Sequence, residues 1–272
     1  MIRLVALDVD GTLLNDNLEI PEVTKQAVAA ARDRGVQFAI VTGRMYQSAV
    51  PLAKELGLEN MPLVAYNGAL IREYPSGRTI HHMPVPLETC KALAAFCEAR
   101  GLHLQAYVDD ELYVPDMGPH TQQYVAACKV EAHPVGSLFL WMQEPSSKLL
   151  IIDDPAAIPG IANEVRELLG PVVTVTQSWP SYLEIVNSQV SKGTGLAALA
   201  SAMGLQREEV MAVGDAMNDI SMLTWAGTSF AIAHAPESVR KAATYVTNAG
   251  AGDGVAEALK RMGLTGEAPA ET

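Results

Sequence analysis

Three apolar runs, separated by two helix-spaced segments, constrain the first 67 residues more than any other feature of the chain. Residues 4–7 with Val9 beyond them, residues 36–41 and residues 61–66 are short and almost continuously apolar. A strand of that kind is buried on both faces, as in a parallel sheet. Between the first two runs, Val23, Ala27, Ala30 and Ala31 recur at helix spacing over residues 21–35, with Gly35 as a stop. Residues 45–57 read as a second helix, in which Pro51 marks an expected flaw or kink. The rhythm is β-α-β-α-β, which predicts a doubly wound, Rossmann-like α/β parallel sheet.

The rhythm then changes. Residues 69–73 and 78–83 flank Pro75-Ser76-Gly77 and read as a hairpin. A helix over 87–100 precedes a second hairpin, 102–108 and 112–114, around Asp109-Asp110-Glu111. Residues 120–128 read as a helix, and residues 131–147 show no pattern. A strand over 148–152, a helix over 158–169 and strands over 172–176 and 182–186 complete this region. It predicts a small α+β domain, residues 84–187, with one open sheet face. From residue 190 the earlier rhythm resumes, with helices over 191–203, 217–225, 236–243 and 255–262 and strands over 210–213, 230–233 and 245–247. One α/β core, residues 1–83 and 188–264, is therefore expected to carry an inserted α+β domain. Residues 265–272, rich in Gly, Glu, Pro, Ala and Thr, are expected to form a disordered tail.

A chain of 272 residues with 49% apolar side chains can fill such a core. Its formal net charge of −12 argues against nucleic-acid or acidic-membrane partners, which need basic patches. Any anionic ligand must then be attracted locally, by a metal or by single Lys and Arg residues. The chain enters its first core strand at once, so no leader is expected. The apolar piece 196–205 is too short for a bilayer. Cys90, Cys97 and Cys128 form no C-x-x-C, and the spacing of the first two suits packing on one helix face. A cytoplasmic protein, monomer or homodimer, is the expectation.

The ends of the predicted strands carry the chemistry. The first ends in Asp8-Val9-Asp10-Gly11-Thr12, the second in Thr42-Gly43-Arg44, and strand 210–213 in Gly214-Asp215, with Asn218 and Asp219 close behind. Lys192 opens the helix after the insertion. Each cluster alone also fits an ordinary turn, a helix cap or a solvated lysine. Together they fall on one edge of one sheet, where ligands of open parallel sheets bind. Carboxylates gathered there repel one another unless a cation joins them. Oxygen donors without His or Cys favour Mg²⁺. Thr42 offers a hydroxyl and an N–H to phosphoryl oxygens, and Gly43 allows close backbone approach.

In this order, Asp8-Val9-Asp10-Gly11-Thr12, Val41-Thr42-Gly43-Arg44, Val190-Ser191-Lys192-Gly193 and Gly214-Asp215-Ala216-Met217-Asn218-Asp219, the motifs resemble the haloacid dehalogenase-like superfamily. An insertion between the second and third motifs resembles the Cof-type sugar-phosphate phosphatases, whose caps are α+β domains. The resemblance implies a Mg²⁺-dependent hydrolase of small phosphate monoesters. It implies Asp8 as a nucleophile that forms an aspartyl-phosphate, and Asp10 as general acid and base. Thr42, Gly43, Lys192 and Asn218 would bind the phosphoryl group, with Lys192 balancing charge. The metal would be held by Asp8, Asp215 and the backbone carbonyl of Asp10, with Asp219 in support. The cap would close over the site and select the substrate, with Gln105, Tyr107, Tyr113 and Glu184 as candidate contacts. A phosphomutase, or a non-catalytic sensor of a phosphorylated ligand, would use the same fold. One departure stands out. Where such proteins often carry Ala-Met-Gly-Asn-Ala, this chain has Ala231-Ile232-Ala233-His234-Ala235. A lone loop histidine reads as structural or solvated.

Overall fold

The computed structural model describes residues 1–266 and divides into two compact units, Met1–His81 with Ser191–Thr272, and His82–Val190. Of the expected tail, residues 267–272 lie outside the described residues.

The first unit is built on an eight-stranded sheet. Its opening strands are β1 (Leu4–Leu7), β2 (Gln37–Val41), β3 (Met61–Ala65), β4 (Leu70–Tyr74) and β5 (Thr79–His82). Helices α1 (Glu22–Asp33) and α2 (Tyr46–Glu55) link the first three. Gly35 takes a φ of +86° just beyond α1, the left-handed turn that ends the helix. Pro51, read as a flaw, lies inside α2, which continues through it.

In the second unit, α3 (Leu87–Arg100), β6 (His103–Val108), β7 (Glu111–Val114), α4 (Pro119–Cys128), β8 (Ala132–Pro134), α5 (Leu138–Trp141), β9 (Lys148–Ile152), α6 (Ile158–Leu169), β10 (Val173–Trp179) and β11 (Tyr182–Asn187) follow in turn. Its sheet runs β10-β11-β9-β6-β7-β8. Alternate residues face opposite sides of a strand. Leu104, Ala106, Leu149, Ile151, Leu183 and Ile185 accordingly join Cys90, Leu93 and Cys97 of α3 and Val165 of α6 in one core. The residues between them, Gln105, Tyr107, Lys148 and Glu184, belong to the other face. That face is not open, as expected, but partly roofed. The ring of Tyr124 from α4 meets Tyr107 edge-on, and Tyr107 and Gln105 are fully buried. The Tyr107 hydroxyl donates to Gln105 Oε1 at 3.1 Å. Lys148 Nζ donates to Glu184 Oε1 at 3.1 Å and lies 4.8 Å from the centre of the Tyr107 ring. Tyr113 belongs to the helix-covered face and stacks on Trp141 of α5. The patternless segment 131–147 contains β8 and α5, which span too few residues to display a period.

The chain returns to the first unit through α7 (Lys192–Ala202), β12 (Val210–Gly214), α8 (Ile220–Trp225), β13 (Thr228–Ala231), α9 (Glu237–Ala242), β14 (Tyr245–Val246) and α10 (Asp253–Arg261). The completed sheet has the order β14-β13-β12-β1-β2-β3-β4-β5. From β14 to β3 every pairing is parallel, and β4 adds antiparallel to β3. β1 lies between β12 and β2 and is wholly buried, which is why it lacks polar alternation. Among the described residues, no helix is long and apolar enough to cross a membrane.

Candidate active site

The parallel register brings the motifs to one edge. Leu7 is level with Ile40 of β2 and Val213 of β12, so the chain leaves all three strands at the same height. Asp8, Thr42 and Asp215 then follow within two residues of those positions. Lys192 arrives from a different direction, as the first residue of α7. A reciprocal cap fixes that helix start. The Ser191 hydroxyl accepts the Thr194 N–H at 3.1 Å, and the Thr194 hydroxyl accepts the Ser191 N–H at 2.9 Å.

Lys192 Nζ donates to Asp8 Oδ1 and to Asp219 Oδ1, each at 2.5 Å, and the three side chains are almost completely buried. Asp219 Oδ2 accepts the backbone N–H groups of Asp215 at 2.9 Å and Ala216 at 2.8 Å, which ties the loop after β12 to the lysine. One oxygen each from Asp8, Asp215 and Asp219 can lie within 4.8 Å of one another. Burial pushes the Asp8 carboxyl up to about 8, with Asp219 and Asp215 adding to the rise and Lys192 opposing it. Burial also works against the ammonium of Lys192, but Asp8 and Asp219 outweigh it and hold it above the ordinary lysine range. Two buried carboxylates thus share one ammonium, and a third, Asp215, stands beside them partly exposed. Oxygen donors in negative excess suit a hard divalent cation such as Mg²⁺.

Asp215 sits beneath a turn that only glycine permits. Gly11 has a φ of +78°, and a Cβ on it would come within 2.4 Å of Asp215 Oδ2. The Thr12 hydroxyl donates to Asp215 Oδ1 at 2.7 Å, and His234 Nε2 stands 3.2 Å from Oδ2. Asp10 is more exposed and is gripped by Arg44. Nε meets Asp10 Oδ2 at 2.9 Å and Nη2 meets Oδ1 at 2.5 Å, a two-pronged contact. Thr42 is buried, and its hydroxyl accepts the Arg44 N–H at 3.1 Å. Asn67 joins this corner to the loop after β12. Its N–H donates to the Thr42 carbonyl at 2.9 Å, and its Oδ1 accepts from Asn218 Nδ2 at 2.9 Å. A Cβ on Gly43 would press on Asn67 Oδ1 at 3.1 Å.

The motif residues Asp8, Asp10, Thr42, Gly43, Lys192, Asp215, Asn218 and Asp219 belong to the first unit, whereas the candidate contacts Gln105, Tyr107, Tyr113 and Glu184 belong to the second, Tyr113 on the opposite face from the other three. Asp10 stands apart from the carboxylate cluster by its side chain. Thr12, Arg44 and Asn67 are polar partners that the motif reading passed over, and His234, read as structural or solvated, meets Asp215. Arg44 and Thr12 stood inside the quoted motifs, and Asn67-Gly68 at a strand end, so position was the available signal. For His234 there was only the unusual Ala-His pair.

A profile of haloacid dehalogenase-like hydrolases matches residues 5–259. Among curated proteins, the chain is similar to the 5-amino-6-(5-phospho-D-ribitylamino)uracil phosphatase YitU of Bacillus subtilis, 30% identical over 94% of this chain and 96% of that protein. It is also similar to the pyridoxal phosphate phosphatase YbhA of Escherichia coli, 29% identical over 94% of this chain and 96% of that one. Among solved structures, a haloacid dehalogenase-like hydrolase from Bacteroides thetaiotaomicron shares its fold with a TM-score of 0.88 and 30% identity, covering 96% of this chain and all of that one. A match over residues 5–259, a buried lysine spanning the carboxylates of Asp8 and Asp219, and a parallel core with an inserted α+β domain have one reading: the chain belongs to the haloacid dehalogenase-like hydrolases, of the Cof type.

Proposed function

We propose that this enzyme, a phosphoric monoester hydrolase, acts on small phosphorylated metabolites, sugar phosphates foremost, through an aspartyl-phosphate on Asp8 and with Mg²⁺ as cofactor. The contact that carries the reading is Lys192 on Asp8 Oδ1, within a cluster of three carboxylates. Lys192 occupies one oxygen of Asp8 and leaves Oδ2 to attack.

In the first half-reaction, Asp8 Oδ2 forms a bond to phosphorus while the bond from phosphorus to the leaving oxygen breaks. Asp10 gives its proton to that oxygen, and the alcohol departs. In the second, a water oxygen attacks the phosphorus of the aspartyl-phosphate and Asp10 takes the proton from the water. Phosphate leaves and Asp8 is restored. Thr42, Gly43, Asn218 and Lys192 receive the phosphoryl oxygens. Arg44 holds both oxygens of the ionised Asp10, the form that takes a proton from water, and must release one of them when Asp10 carries a proton.

Asp8 and Asp215, with the backbone carbonyl of Asp10, would hold Mg²⁺, and Asp219 would support them from its hydrogen bonds to Lys192 and the loop. When bound, the ion supplies positive charge that favours the ionised form of Asp8 and reduces its repulsion from a phosphate dianion. Such a charge would act with Lys192 against the burial that raises the Asp8 carboxyl. The two curated relatives are named for small phosphate monoesters, which supports the substrate class.

The test is phosphate release from a generic aryl phosphate with and without Mg²⁺, followed by a panel of phosphorylated metabolites. Turnover that chelation abolishes and Mg²⁺ restores is the expected result. Activity indifferent to chelation would overturn the cofactor assignment. A bisphosphorylated sugar as the main product, rather than free phosphate, would point to a mutase.

A further inference from the structure

The geometry points to His234 as a positioning residue for Asp215, one that fixes the orientation of this carboxylate beside Asp8 and Asp219. The inference rests on the proposed metal site and deepens it.

A carboxylate at a strand end turns about its last torsion, and either oxygen can then face a ligand. Asp215 is held at both of its oxygens. Thr12 donates to Oδ1 at 2.7 Å, and His234 Nε2 closes on Oδ2 at 3.2 Å. A carboxylate only accepts, so the ring nitrogen facing it carries the hydrogen. This is the usual arrangement in which a hydrogen bond from outside aims a metal-binding carboxylate.

The backbone that carries His234 is itself anchored. The Ile232 N–H donates to the Gly214 carbonyl at 3.1 Å, on the strand that leads into Asp215. The Ala233 N–H donates to the Thr247 hydroxyl at 3.1 Å, and the Ala235 N–H returns to the Ile232 carbonyl at 2.9 Å. Thr247 passes its own hydrogen to the Ala249 carbonyl at 2.8 Å. Fixed points on both sides of residue 234 thus hold the imidazole against Asp215 although the ring is 48% exposed. An exposed pair of this kind adds little to folding stability. Its effect should therefore fall on ligand binding.

The test is Mn²⁺ binding to the full chain, followed by electron paramagnetic resonance, in the wild type, His234→Ala, His234→Gln and Asp215→Asn. Glutamine places an N–H near the position of Nε2 and serves as the conservative replacement. His234→Ala should weaken Mn²⁺ binding by roughly 10–100-fold, the usual cost of losing such a partner. His234→Gln should stay within a few-fold of wild type. Thermal unfolding of the cation-free proteins should be nearly unchanged by both His234 substitutions. Wild-type affinity in His234→Ala, with binding lost in Asp215→Asn, would overturn the inference and leave the metal site standing. Wild-type affinity in Asp215→Asn would overturn the site and the inference together. A nitrogen coupling to bound Mn²⁺ that disappears in His234→Ala would make the imidazole a direct ligand and also overturn the positioning role.

Discussion

Two lysines are buried among the described residues, one in each unit, and each meets carboxylate. In the inserted unit, Lys148 faces Glu184 alone, with the π face of Tyr107 as a further partner. Glu184 holds the Lys148 ammonium above its ordinary range, against the effect of burial. One charge answers one charge. In the core unit, Lys192 faces Asp8 and Asp219, and Asp215 is close by. There three carboxylates gather around one ammonium, and the third, Asp215, is only partly buried and meets His234. A buried pair that balances itself belongs to the architecture of its domain. A buried cluster left negative is costly unless a cation joins it, and that imbalance marks the site of chemistry.

The sharpest way to break this comparison is at Asp8. Asp8→Asn should lower turnover of an aryl phosphate by roughly 10⁴-fold or more, as loss of a nucleophile does. Its fold should persist, because Lys192 keeps Asp219. Steady-state phosphate release together with circular dichroism checks both halves. Wild-type turnover in this variant would remove the distinction between the two lysines.

Next comes the balanced pair. Glu184→Gln should destabilise the inserted unit by about 3–5 kcal/mol, since it leaves Lys148 buried and unpaired. The double change Lys148→Met with Glu184→Leu should recover most of the loss in urea unfolding. No corresponding apolar replacement of Lys192 and Asp219 should restore catalysis, whatever it does for stability.

A smaller effect on rate is expected at Asp10. Asp10→Asn should slow turnover by roughly 10²–10⁴-fold, most with poor leaving groups such as sugars, because it removes proton transfer and one of the two Arg44 contacts. Comparing an activated aryl phosphate with a sugar phosphate reads this out.

The smallest effect concerns pH and the inserted unit. Burial pushes the His103 imidazole down from 6.5 to about 4, with His120 adding to the fall and Asp116 opposing it. The folded state therefore prefers neutral His103. Above pH 6.5 the ring costs nothing, because it is neutral folded or unfolded. As pH falls from 6.5 towards 4, the unfolded chain gains a proton that the folded chain refuses, and stability is lost. Thermal unfolding across that range should fall less steeply in His103→Gln than in the wild type.

The strand-end motifs were legible in the sequence because their signals are local. Asp8, Asp10, Thr42, Gly43, Lys192, Asp215, Asn218 and Asp219 each follow an apolar run or open a helix. A parallel sheet gathers such ends by topology alone, so their shared edge could be inferred before any distance was known. The inserted unit was harder to read. Its two shortest elements, β8 and α5, give no period to detect. The face expected to be open is partly covered by Tyr124, because nothing in the spacing of α4 says which neighbour it will cover.

By itself, then, the sequence determined the alternation of strands and helices, the place of the insertion and the chemistry of the strand ends. All of these depend on residues close together in the chain. Only the tertiary structure decided that Arg44 grips Asp10, that Asn67 bridges Thr42 and Asn218, that His234 and Thr12 clamp Asp215, and that Lys148 is balanced while Lys192 is not. Those contacts join side chains from separate elements. Local propensity is silent about such pairs, whose energies depend on burial and on distances of a few ångströms.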